Sequence, residues 1–100
     1  MSLYLWEMHI DVSTPEKSTK ITERIEEIIK EGGTPTSRLV AGPWASLENP
    51  TLIAVVEAPD LSQTMPATIE LYNEGLITDM RIRPIISWEG VKAAAAKVPR

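Results

Sequence analysis

Glu7 and His9 stand two residues apart, so on an extended segment a carboxylate and the chain's single imidazole project from the same side. An imidazole titrates near neutrality and next to a carboxylate has the means to act as a general base. Guanidinium forks such as those of Arg81 and Arg83 bind a carboxylate, or steady the enolate left by proton abstraction. The matching substrate has an acidic carbon beside a carbonyl. In this reading His9 and Glu7 are the candidate catalytic groups, and Arg81, Arg83 and Glu57 the candidate ligand contacts. Trp44 and Trp88 join them because they follow predicted strand ends, where the rims of clefts are built. A simpler reading makes the same charges ion pairs that tie a sheet face or an interface together.

Other chemistries fit less well. His9 with Glu7 and Glu57 offers one imidazole where a catalytic zinc takes three protein ligands and commonly several histidines or cysteines, so neither a metal nor another cofactor is assigned. Gly32-Gly33 lacks the spacing of a dinucleotide or Walker phosphate loop and reads as a helix stop. The serines lack an elbow motif around a nucleophile.

The segments that position these residues follow from periodicity. Tyr4, Trp6, Met8 and Ile10 alternate with Leu3, Leu5, Glu7, His9 and Asp11, which predicts a strand with an apolar face and a face that turns polar toward its end. Ser13 and Glu16 have capping-box spacing and Pro15 suits a first turn, so a helix follows, with Ile21, Ile25, Ile28 and Ile29 on one side and Gly32-Gly33 at its end. Arg38 to Ala41 is a short strand interrupted by Gly42-Pro43, and Glu48-Asn49-Pro50 is a turn. Leu52 to Glu57 is apolar on both faces, as a central strand would be. Asp60 with Gln63, or Ser62 alone, caps a second helix running to about Asn73-Glu74; an Asp60 cap would put Pro66 inside the helix and predicts a kink or a short first turn. In Ile77 to Ile86, Met80, Ile82 and Ile86 oppose Asp79, Arg81 and Arg83, and Pro84 assigns this strand to a sheet edge or a bulge. A short third helix starts at Ser87 and runs through Ala93 to Ala96.

A length of 100 residues predicts one domain over 1–100. The absence of cysteine excludes disulfides, iron–sulfur ligation and thiol nucleophiles. The net charge of −4 disfavours nucleic acid and anionic lipid as partners, and no apolar run reaches the roughly 20 residues of a membrane helix. The first segment lacks the basic start and long apolar run of a signal peptide, so a cytoplasmic location is expected.

The order strand, helix, strand, strand, helix, strand predicts an α+β fold: a ferredoxin-like βαββαβ antiparallel sheet with both main helices on one face and a short C-terminal helix. If the first and last strands pair, Glu7, His9, Arg81 and Arg83 share a face, with Glu57 placed to join them. That face also carries Leu3, Leu5, Ile53, Val55 and Ile85, each worth ~1.5–3 kcal/mol if buried, so a second copy of the sheet is the expected cover. A homodimer follows from that.

The order, the early Trp6, the Gly33 to Trp44 segment ending Gly42-Pro43-Trp44, the strand ending Val56-Glu57, Asp60 opening a helix, and the closing Arg83-Pro84-Ile85-Ile86 together resemble the dimeric α+β barrel superfamily. Within it the chain is most similar to a family of small prokaryotic domains of unknown function, although Tyr72 stands where that pattern has tryptophan. The resemblance spans about Leu3 to Lys97. It implies a homodimer with an interior cleft for a small molecule. Relatives of that kind include cofactor-independent monooxygenases, lactone isomerases, haem-degrading enzymes and sensing domains. Three expectations stand side by side: a small-molecule-binding barrel, a cofactor-independent monooxygenase or isomerase with His9 as base, and a non-catalytic regulatory or dimerisation domain.

Overall fold

The computed structural model describes residues 1–46 and 49–99. The strands are β1 (Ser2–Ile10), β2 (Gly33–Thr34), β3 (Ser37–Ser46), β4 (Thr51–Ala58) and β5 (Ile77–Ile85); the helices are α1 (Pro15–Glu31), α2 (Met65–Asn73) and α3 (Trp88–Ala95). All pairings are antiparallel in one sheet of order β2-β3-β4-β1-β5. This α+β arrangement is consistent with a ferredoxin-like fold. It differs from the expected element order by the two-residue strand β2.

That extra strand follows from the glycine pair. Gly32 and Gly33 both take positive φ (77° and 146°), which turns the chain out of α1 and back along β3. The backbones approach so closely that a Cβ on Gly33 would lie 2.3 Å from the Ser37 carbonyl oxygen.

Alternation in β1 sends Tyr4, Trp6 and Met8 into the core, where they meet Ala54, Val56 and Ala58 of β4, Ile21 of α1 and Leu71 of α2. β4 lies between β3 and β1 and is apolar on both faces, as its continuous run predicts. β5 with Pro84 is an edge strand. It ends at Ile85, and Ile86, expected on its inner face, is exposed.

Three local expectations change. α1 is capped by Thr14 and not Ser13: the Ser13 amide donates to Asp11 Oδ1 (2.9 Å), so the helix starts a residue later, with the Lys17 amide donating to Thr14 Oγ1 (3.2 Å). β3 continues through Gly42-Pro43, because register shifts on either side of Ala41 absorb the irregularity. Only β2 flanks β3 on its outer side, and a proline is tolerated along such an edge. Asp60 caps a separate 3-10 turn, Leu61–Thr64, accepting from the Gln63 amide (3.3 Å), and Pro66 then sits harmlessly in the first turn of α2. The Ser62 hydroxyl, which also donates to Asp60, holds that carboxyl below its usual range. Of the turn expected at Glu48-Asn49-Pro50, Glu48 lies outside the described residues, while Asn49 and Pro50 form a turn.

α1 and α2 are joined by Arg24, whose Nη2 lies 2.6 Å from Glu70 Oε1 and whose Nη1 lies 3.7 Å from Glu74 Oε1. The contact with Glu70 raises the guanidinium's pKa further. α3, capped by Ser87 Oγ accepting from the Gly90 amide (3.1 Å), buries none of its residues.

Candidate functional site

Strand pairing turns the sequence alternation into a grid. Across β5, β1, β4 and β3, the face away from α1 and α2 reads Ile85, Leu3, Glu57, Arg38 in one row and Arg83, Leu5, Val55, Ala41 in the next. The third row is Arg81, Glu7, Ile53, Trp44, and the fourth is Asp79, His9, Thr51, Ser46. Six of the seven residues singled out from sequence, Glu7, His9, Glu57, Arg81, Arg83 and Trp44, therefore share one sheet face. Trp88 stands apart, at the first position of α3.

Side-chain pairing on this face departs from the simple cross-strand pattern. Glu7 is opposite Arg81 in register, yet its Oε1 lies 3.0 Å from Nη2 of Arg83, the diagonal neighbour. Glu57 is engaged by Arg38, whose Nε and Nη2 both donate to Oε1 (3.3 and 3.2 Å). Each carboxylate thus has one guanidinium, and both pairs are partly exposed, a setting in which an ion pair contributes about 0–1 kcal/mol.

That leaves Arg81, His9 and Asp79 outside the ion pairs, and of these Arg81 and His9 are the groups able to contact an anion. Among the described residues neither has an oppositely charged side-chain atom within 4.0 Å. The cross-strand partner of His9 is Asp79, whose Oδ1 accepts the Met80 amide (2.9 Å). Arg81 and His9 are diagonal neighbours, a spacing of about 7 Å across an antiparallel pair. An uncommitted guanidinium beside an imidazole can receive an anionic group between them: the fork binds a planar carboxylate through two bonds and the ring nitrogen adds a third.

Apolar side chains flank this corner. Leu5, Ile53 and Val55 are half-buried, and Trp44, opposite Ile53, is 57% exposed. A hollow of about 440 Å3 adjoins Arg38 and Glu57 at the opposite corner of the same face. A cleft of about 270 Å3 lies on the helix side, between α1, the β2–β3 turn and α2, and does not include His9 or Glu7. Among the described residues no three His, Asp or Glu side chains gather as a metal-ligand set. No helix is long and apolar enough to cross a membrane.

Sequence reasoning missed two members of this face. In the sequence Arg38 reads only as the start of a strand, and Asp79 only as polar patterning. Arg38 has the parity of a face residue, but the two register shifts in β3 hide which residues of β4 it meets. Asp79 is visible as the residue two before Arg81, and only the pairing of β1 with β5 sets it against His9. No protein-family model matches the chain, and no curated protein matches it.

Proposed function

We propose that the chain binds a small organic acid between the open faces of a two-fold homodimer of the dimeric α+β barrel kind. The observation that carries this reading is the pair Arg81 and His9, uncommitted to any carboxylate, on a face whose two glutamates each hold a guanidinium of their own and whose third carboxylate, Asp79, accepts the Met80 amide. The apolar strip of Leu5, Ile53, Val55 and Trp44 supports a second sheet as cover, because packed sheet faces stand about 10 Å apart and leave room for a ligand where side chains are short. Ala41 is such a side chain in the grid. The ligand's carboxylate lies at Arg81 and its apolar body along the strip.

The test is calorimetric titration of the native chain and of Arg81→Gln with aromatic and aliphatic carboxylic acids and their uncharged amides. Acids that bind the native chain and lose at least tenfold in affinity to Arg81→Gln, with the amides silent, support the proposal; roughly 1.4 kcal/mol corresponds to each tenfold. Binding of acids and amides alike, or no binding by any acid, refutes it.

A second reading gives the same corner a reaction. His9 has no carboxylate within 4.0 Å among the described residues, so its ring is free to take a proton from the carbon beside the bound carbonyl while Arg81 stabilises the enolate. In that case His9→Gln retains ligand and loses turnover. A regulatory or dimerisation domain instead retains its assembly in both variants and binds none of the acids.

A further inference from the structure

The C-terminal helix has no cover. Its apolar residues recur at Trp88, Val91 and Ala95, spacings of three and four that make one stripe, and Val98 follows three residues past its end; Trp88 and Val98 are 70% and 65% exposed. Isolated helices shorter than about 12–15 residues are marginal in water, and α3 has eight. A helix of that length that buries nothing of its own chain needs an outside surface to hold it.

A matching surface exists on the same chain. α2 buries Thr68 and Leu71 on its inner side, yet its outer side presents Met65, Ile69 and Tyr72 at i, i+4 and i+7, all exposed. A helix apolar on both sides is one covered on both sides. α3 does not cover this stripe in its own subunit, since Met65, Ile69 and Tyr72 are all exposed; the molecule measures 57 × 30 × 21 Å with a radius of gyration of 15.4 Å, against about 13 Å for a compact chain of this length.

We propose that α3 docks on the outer face of α2 in a second copy of the chain, reciprocally, so that one two-fold axis covers both stripes of both copies. Three observations select a second copy as occupant. Both complementary stripes belong to one chain, the condition for an isologous contact. The accessible surface, 6714 Å2, exceeds the roughly 5,700 Å2 of a compact monomer of 11.1 kDa by about 1,000 Å2, an excess to which the uncovered α2 and α3 stripes contribute together with the open sheet face and which is of the order of the ~800 Å2 each partner contributes to a standard interface. Charge is of opposite sign at the margins: Lys97 follows α3, and beside the α2 stripe Glu70, although paired with Arg24, keeps a side chain that is 54% exposed. The contact lies off the open sheet face and does not depend on what that face binds.

The chain has no cysteine, which makes it ready for paired cross-linking. Ile69→Cys and Val91→Cys are made separately, mixed in equal amounts and oxidised, with Glu89→Cys, one helical step off the stripe, replacing Val91→Cys as the control. The expected result is a mixed disulfide between Ile69→Cys and Val91→Cys that forms at least about tenfold faster than the control pair, because bridging requires Cα atoms within about 7 Å. Equal rates for the two pairs, or no cross-link, overturn the proposal. So does a double variant that closes the bond only within its own chain. Should a cysteine variant fail to fold, dilution of the native chain decides. Dissociation must remove the far-ultraviolet signal of α3's 8 residues, close to a quarter of the helical total when α1 has 17 and α2 has 9. A monomer that retains the full signal overturns the proposal. Trp44→Ala, which acts on the sheet face, leaves the cross-link unchanged, so failure of the sheet-face reading and failure of this one are distinguishable.

Discussion

Replacing Trp44 by alanine separates the stability of the subunit from that of whatever covers its open face. The side chain is 57% exposed, and a tryptophan has about 200 Å2 to bury, so roughly 110 Å2 per copy is still in contact with water. At about 25 cal/mol per Å2, complete cover by a partner sheet is worth about 3 kcal/mol per copy, and twice that in a two-fold dimer. Cover of only half this area leaves about 3 kcal/mol per dimer, or about two decades in the dissociation constant. Sedimentation equilibrium on native chain and variant reads the effect directly. Val12→Ala, also at an exposed apolar residue but in the β1–α1 connection, serves as the control and leaves the constant unchanged. A dissociation constant for Trp44→Ala within threefold of the native value refutes the reasoning, as does a native chain that is monomeric at about 0.5 mM, since 3 kcal/mol is far outside so small a change.

The core gives a contrasting pair. Trp6 is 2% exposed and its Nε1 has no partner among the described residues, so Trp6→Ala lowers stability by about 3–5 kcal/mol whereas Trp6→Phe, which also removes the orphaned donor, costs less than half of that by denaturant titration. Gly33→Ala destabilises more than Gly75→Ala: both positions have positive φ, but only at Gly33 does the new Cβ meet backbone, at 2.3 Å, while Gly75 has open space, and thermal melts rank the two. Acid sensitivity follows from Asp11, whose carboxyl is held far below the usual range, first by the hydrogen bond from Lys17 (2.7 Å) and then by Ser13. A depressed carboxyl contributes its stability above the unfolded value near 4 and loses it as pH falls from there, so Asp11→Asn flattens the stability profile below about pH 4 and has its full effect at neutral pH.

Much of this molecule is written in its alternation. Tyr4, Trp6 and Met8 against Leu5, Glu7 and His9 assign the two faces of β1 without further information, and Pro84 limits β5 to an edge or a bulge, of which the sheet order selects the edge. Helix caps were less legible because Ser13 and Thr14 are adjacent and equally able; the choice depends on Asp11 capturing the Ser13 amide, a contact between side chain and backbone that periodicity does not register. The course of β3 was hidden for a related reason. Gly42-Pro43 carries the local signature of a break, and only the neighbouring β4, pairing on both sides of it, carries the strand through. At the site, membership of the open face was legible and partners were not. Side-chain parity fixes that Glu7 and Arg81 share a face, but whether Glu7 pairs with Arg81 or Arg83 is decided by the diagonal reach of two long side chains after the strands are in place.

The position of β1 between β4 and β5 has a consequence for how the chain reaches this state. Tyr4 has Val56 on one side and Pro84 on the other, so the earliest-made strand waits for the two strands made latest. At translation rates of about 5–20 residues per second, roughly 4–16 seconds pass between synthesis of Tyr4 and arrival of Pro84. Until β4 is made, an apolar ribbon bearing Tyr4, Trp6 and Met8 has no ladder to join, and its other side stays open until β5 follows, while α1, built from local contacts, is free to form within microseconds. The centre of the nascent sheet therefore waits for β4, and its β5 edge is added last.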